Sequence, residues 1–197
     1  MIGAAPRTGR ERPGAAIQHA TGRLGHAGEM SAADVDDAAL EARVRSALDT
    51  LGVPYRVMDC DPAFADTAAF CERYGVAPEQ SANCILVVGK GAERTYAACM
   101  VLAVHRLDVN GVVRRRLGAK KASFASAEET IEQSQGMQIG GVTPFGLPDG
   151  TRIWVDSKVM DCDEIVVGGG SRACKILVAP SVFDALPGAE VVEDLAR

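Results

Sequence analysis

The segment Asn83–Val104, NCILVVGKGAERTYAACMVLAV, holds two apolar runs separated by a short polar stretch. Asn83–Gly89 and Thr95–Val104 are rich in Val, Ile, Leu and Cys, and Lys90-Gly91 supplies turn chemistry between them. Together they predict a β-hairpin. Tyr55–Cys60, Ala122–Ala125, Arg152–Asp156, Glu164–Gly168 and Cys174–Val178 read as further strands. Val35, Leu40, Val44, Leu48 and Leu51 form an apolar stripe that Gly52 and Pro54 stop, which predicts a helix over 33–51. Asp66–Tyr74 is a short helix ended by Gly75. Asp108 caps a helix Val109–Leu117 ahead of Gly118. Ser126-Ala-Glu-Glu129 is a capping box for a helix ended by Gly136, and Ser181–Leu186 is a last short helix. Hairpin links replace a regular βαβ alternation. The expected class is therefore α/β (α+β), with a mixed sheet flanked by helices.

A chain of 197 residues, 47% apolar and 24% charged, bounds this to one globular domain or one domain plus a tail. No apolar run approaches the roughly 18–20 residues of a membrane span, so no membrane partner is expected. The first 29 residues hold six Gly, six Ala and two Pro, and four Arg against two Glu. They lack an apolar core for a secretory signal and read as part of a disordered N-terminal extension over 1–30. Their Arg-rich composition faintly resembles a transit peptide, and Met30 is an alternative start. The domain is expected over 31–197.

Six cysteines form no CxxC pair, and the three histidines are scattered. They read as buried thiols in a reducing cytoplasm rather than disulfides or zinc ligands. Asp156, Asp161, Asp163 and Glu164 lack EF-hand spacing and read as a solvated turn. No metal and no organic cofactor is expected. Val167–Arg172 (VGGGSR) lacks a P-loop pattern and reads as a turn between strands. Arg114–Lys121 (RRRLGAKK) is the densest basic run in a chain of pI near 5.3. It suits a helix C-terminus and equally suits a phosphate backbone. The sequence holds no GxSxG and no HExxH, so catalysis would rest on backbone donors and positioning. Gly140–Pro148 (GGVTPFGLP) has the composition for that. Its glycines let the backbone approach a ligand and its prolines stiffen it.

Several stretches in order resemble the YbaK/ProX family, the prolyl-tRNA synthetase-associated domain that hydrolyses mischarged aminoacyl-tRNA. They are Glu79–Val87 (EQSANCILV), His105–Asp108 (HRLD), Leu117–Ala125 (LGAKKASFA), Met137–Pro148 (MQIGGVTPFGLP), Trp154–Asp156 (WVD) and Glu164–Gly170 (EIVVGGG). The resemblance covers about residues 40–190 and implies a compact domain with a barrel-like sheet. The implied site lies between the strand at Ala82–Val87 and the Gly140–Pro144 loop. The implied reaction is hydrolysis of the ester joining a small amino acid to a tRNA, with tRNA-Pro one candidate.

The resemblance implies Gly140 and Gly141 as oxyanion donors and Asn83 as the residue that orients the substrate. Met137, Val142, Thr143, Pro144, Phe145 and Lys175 are expected to shape or line the substrate pocket. Arg114, Arg115, Lys120 and Lys121 are the expected tRNA contacts. One departure stands out: family deacylases carry a Lys at the position of Asn83, which supplies no positive charge. Lys175 or Lys121 would then have to provide it. The expected partners are mischarged tRNA and an aminoacyl-tRNA synthetase, in the cytoplasm. Two alternatives stand beside this reading. One is a non-catalytic member that binds aminoacyl-tRNA, an amino acid or a synthetase; the other is a hydrolase for another activated ester.

Overall fold

A computed structural model describes residues 32–91 and 93–197. The extension expected over residues 1–30 lies outside the described residues. In chain order the elements are α1 (Ala32–Leu51), β1 (Tyr55–Asp59), α2 (Thr67–Tyr74), β2 (Ala82–Lys90), β3 (Thr95–Leu102), α3 (Arg114–Arg116), β4 (Lys121–Phe124) and α4 (Ala127–Gln133). They continue with β5 (Ile153–Asp156), α5 (Ser157–Met160), β6 (Ile165–Gly168), β7 (Cys174–Val178), α6 (Val182–Ala185) and β8 (Ala189–Val192).

The predicted hairpin is present: β2 and β3 pair antiparallel from Ala82–Leu102 to Gly89–Thr95. It is the middle of a five-stranded mixed sheet of order β4-β2-β3-β5-β8, in which β5 and β8 run parallel to their neighbours. A second, antiparallel sheet of order β1-β7-β6 lies beside it, and one parallel bridge, Ser81 to Val166, connects them. The α/β class with flanking helices holds. The expected barrel-like sheet is instead two sheets, because a single bridge does not close the circuit.

Burial explains why the hairpin strands read as continuous apolar runs. Cys84, Leu86, Ala98, Met100 and Leu102 point to a central core shared with α1 (Val44, Leu48) and with Ile165, Val167, Ile176 and Val178 of the second sheet. Val87, Ala97 and Cys99 point the other way, to Val113, Leu117, Trp154 and Leu195. With both faces covered, the alternation of a half-buried strand disappears. A third cluster, Cys60, Ala65, Phe70 and Cys71 with Val166, seats α2 on the second sheet.

Local signals fixed most boundaries. Ser126 Oγ accepts from the Glu129 N–H (3.1 Å) and Glu129 Oε2 from the Ser126 N–H (2.9 Å), the reciprocal pair expected of a capping box. Gly75 ends α2 at φ +66°. Asp108 caps as expected, accepting from Gly111 N–H at 3.0 Å, but Val109–Val113 is a wide π-type turn that runs into α3. Asp156 is not a solvated acid. It is fully buried and accepts from Ala196 N–H (2.7 Å) and Lys158 N–H (3.2 Å), which pins the C-terminal segment beneath β5. Among the described residues no His, Cys, Asp and Glu group could hold a metal, and no helix is long and apolar enough to cross a membrane.

All six cysteines are free thiols and five are buried. Burial pushes the Cys99 thiol up to about 12 and Cys174 to about 11, and raises Cys84 as well. In the unfolded chain these thiols ionise near the ordinary value of about 8.5. Above that pH the unfolded state therefore binds fewer protons than the folded one, and stability falls as pH rises. Lys175, whose ammonium burial holds below its ordinary value, works in the opposite sense but is one group against three. Urea denaturation at pH 7.5 and pH 10.5 will show a lower midpoint at the higher pH; equal midpoints would refute the buried-thiol account.

Candidate active site

The loop after α4 is held by what it buries. Met137 and Phe145 are fully buried in the central core, and Phe145 stacks on Phe183 with centroids 6.3 Å apart. Between these anchors Gly140 takes φ +91°, which favours glycine. Gly141 lies backbone to backbone against the β6–β7 turn. Its C=O accepts from Gly170 N–H at 2.8 Å, and a Cβ built on it would stand 2.0 Å from the Ser171 carbonyl oxygen. A Cβ on Gly168 would meet the Gly141 and Val142 carbonyl oxygens at 2.3 and 2.4 Å. The VGGGSR stretch is thus a hairpin turn, as read, and also the bed on which the Gly140 loop lies.

Two cations pin this assembly to the N-terminal end of α2. Arg172 donates from Nη1 to Ile139 O (2.7 Å) and Asp66 Oδ1 (3.2 Å), and from Nε and Nη2 to Pro62 O (3.1 and 2.9 Å). Lys175 Nζ donates to Gly140 O (2.7 Å) and Ala65 O (2.8 Å), with the Phe70 ring 5.1 Å away.

Between these parts lies a cavity of about 430 Å³. One wall is Ser81–Leu86, which is β2 and the residue before it. The second is Asp66, Thr67 and Phe70, and the third is Ile139, Gly140 and Val142 with Val166–Gly168 and Lys175. Phe124, Ala125 and Thr130 close the remaining side, Phe124 being 57% exposed. Asn83 is half-buried, and its Oδ1 accepts from Thr67 Oγ1 at 2.7 Å. That contact fixes the amide plane. Among the described residues no acceptor takes Asn83 Nδ2.

The family model for the aminoacyl-tRNA editing domain matches residues 61–185, the span that contributes every wall of this cavity. The chain belongs to that family. A crystal structure of a candidate trans-editing enzyme for prolyl-tRNA synthetase superposes with TM-score 0.67 and 25% identity, over 78% of this chain and 94% of that one. A crystal structure of the hypothetical protein APE2540 superposes with TM-score 0.70 and 21% identity, over 79% and 99%. An uncharacterized protein of Bacillus subtilis, YwhH, is 23% identical over 141 residues, 72% of this chain and 87% of its own.

In this editing domain the cavity brings together Asn83, Gly140, Val142 and Lys175 of the residues expected at the site. Met137, Thr143, Pro144 and Phe145 do not line it; all four are buried behind the loop. Nor does Gly141, whose N–H already donates to Gln138 O at 2.8 Å, so it serves packing and Gly140 is the loop glycine that lines the cavity. Arg115, Lys120 and Lys121 are exposed, while Arg114 Nε donates to Asn110 O at 2.8 Å. Lys121 opens β4 and Phe124 closes it at the cavity, about 10 Å along the strand at ~3.3 Å per residue.

Sequence reading missed Asp66, Thr67, Phe70 and Arg172. The helix carrying the first three was recognised, but nothing local shows that its first turn faces β2. Cys84 lines the cavity, and burial raises its pKa, which favours the neutral thiol over the thiolate.

Proposed function

We propose that this editing domain is a deacylase acting in trans on mischarged tRNA, cleaving the ester between a small amino acid and the 3′-terminal ribose. The observation that carries the reading is the Asn83 side chain, which lines the cavity together with Gly140 and whose Oδ1 is taken by Thr67 Oγ1. Such an ester is already activated, and the acceleration needed is modest. Asn83 orients the acyl group by donating to an acceptor on the substrate. The Gly140 N–H stabilises the tetrahedral oxyanion, a contribution worth about 3 kcal/mol in comparable sites. The attacking oxygen comes from a water, with the neighbouring ribose hydroxyl helping to place it. Val142, Phe70 and Ile85 bound the acyl pocket, and their side chains set which acyl groups it accepts. Arg115, Lys120 and Lys121, with Arg114, hold the tRNA backbone as the acceptor end passes along β4 to the rim at Phe124. The substrate places this work in the cytoplasm, beside the synthetase that makes the error; tRNA-Pro is the first substrate to try.

A second reading, non-catalytic binding of aminoacyl-tRNA, an amino acid or a synthetase, draws on the resemblance, which implies that Asn83 stands where the family's deacylases carry Lys. A panel of mischarged tRNAs separates the two. Release of free amino acid from at least one small-residue tRNA is the expected result. Retained binding with no turnover across the panel would favour the second reading, and neither binding nor turnover would sink both.

A further inference from the structure

Lys175 lies on the central strand of the three-stranded sheet and is 7% exposed. A buried ammonium is costly unless an anion pairs with it. Among the described residues no carboxylate lies within ion-pair distance of it. Its two acceptors are neutral carbonyls, Ala65 O and Gly140 O. The titratable groups facing it are Cys60, Cys174, Arg172 and Asp66. Burial raises both thiols, so they stay neutral. Asp66 is engaged by Arg172 and its side chain is 71% exposed. Two cations therefore stand against one solvated carboxylate, and the cavity wall keeps a positive charge that the protein does not neutralise.

We infer that Lys175 is the anion-binding group of this cavity and takes the negative charge that forms on the ester carbonyl oxygen. The inference rests on the deacylase reading and gives the site its cation from β7 in place of β2. Water oxygen adds to the carbonyl carbon, and the carbonyl π pair moves onto its oxygen, beside the Gly140 N–H and the ammonium. When the pair returns, the bond to the 3′ ribose oxygen breaks. That oxygen takes the proton given up by the water, leaving free amino acid and tRNA. The ammonium also holds the Gly140 carbonyl, while the Ile139–Gly140 peptide, which carries the Gly140 N–H, is held through Ile139 O by Arg172.

The test must separate charge from mere clamping. Lys175→Gln keeps N–H donors for the two carbonyls and removes the charge; Lys175→Arg keeps the charge. With the best tRNA of the panel, Lys175→Gln will lower kcat about 100-fold with KM changed little, and Lys175→Arg will recover part of the loss. The wild-type rate will fall at alkaline pH, below the ordinary lysine value of 10.5, and this limb will vanish in Lys175→Gln. Binding supplies a readout independent of turnover. An adenosine 3′-(1-aminoethyl)phosphonate monoester, whose tetrahedral centre is anionic, will bind wild type at least about tenfold tighter than the 3′-alanylamide, whose amide centre is neutral, and Lys175→Gln will lose that preference. A Gln variant with wild-type kcat and an intact alkaline limb, or a wild type indifferent to the phosphonate charge, would overturn the assignment. Failure of the deacylase reading alone would show differently, as phosphonate preference without turnover of any tRNA.

Discussion

Alanine at position 141 will cost the domain about 3 kcal/mol or more, because overpacking a rigid site is dear even for one methyl. The added Cβ would stand 2.0 Å from Ser171 O, 2.5 Å from its carbonyl carbon and 3.1 Å from the Gly170 carbonyl carbon. All three are backbone atoms and cannot rotate aside. Moving the turn instead would break the Gly170 N–H to Gly141 O bond and pull on Ser171 Oγ, which donates to Glu41 Oε1 of α1 at 2.6 Å. For a domain of this size the loss corresponds to a fall in Tm of roughly 6–12 °C. Gly75→Ala is the control: unlike Gly141 it has a positive φ, +66°, but nothing lies within 4 Å of the point a Cβ would occupy. It should cost only the backbone strain, about 1 kcal/mol. Thermal denaturation of the two variants decides the matter, and equal losses would refute the backbone packing of the two glycine runs.

Asn83→Ala will leave the fold standing and lower kcat/KM for deacylation about 100-fold. The side chain is half-buried and holds one hydrogen bond, so its removal should shift stability by about 1 kcal/mol. On the deacylase reading its effect on rate is larger, because its N–H groups would meet the substrate in a site partly shielded from water. Thr67→Val should produce a smaller loss, about tenfold, since it removes the bond that orients the amide but leaves the amide in place. Steady-state kinetics on a single mischarged tRNA gives both numbers. A Thr67→Val loss equal to that of Asn83→Ala would mean the pair acts as one unit; wild-type kinetics in Asn83→Ala would remove it from the site.

The hairpin at Asn83–Val104 was legible because two apolar runs of strand length flank a turn, and no helix of that length fits between. The capping box at Ser126 and the left-handed Gly75 were legible for the same reason: each is a signal within four or five residues. The parting into two sheets was not, since it depends on which strand β6 meets, and one bridge at Ser81 and Val166 is all that marks it. Met137 and Phe145 were read as pocket walls because an apolar residue in a loop looks the same whether it faces a ligand or a core. The Arg172 bond to Pro62 O joins residues 110 apart and leaves no local trace. β8 was missed because its AEVV run buries little beyond Val192 at the edge of the sheet.

A wall made of peptide groups has no rotamers to change. Where Gly141 and Val142 rest on Gly168–Ser171, the loop behind that side of the cavity is set by main-chain contact and tolerates almost no adjustment. The opposite side is built from the side chains of Thr67, Phe70, Asn83, Ile85 and Phe124. On the deacylase reading, retuning toward a different acyl group is therefore written in those side chains and in Val142, against main chain that stays fixed.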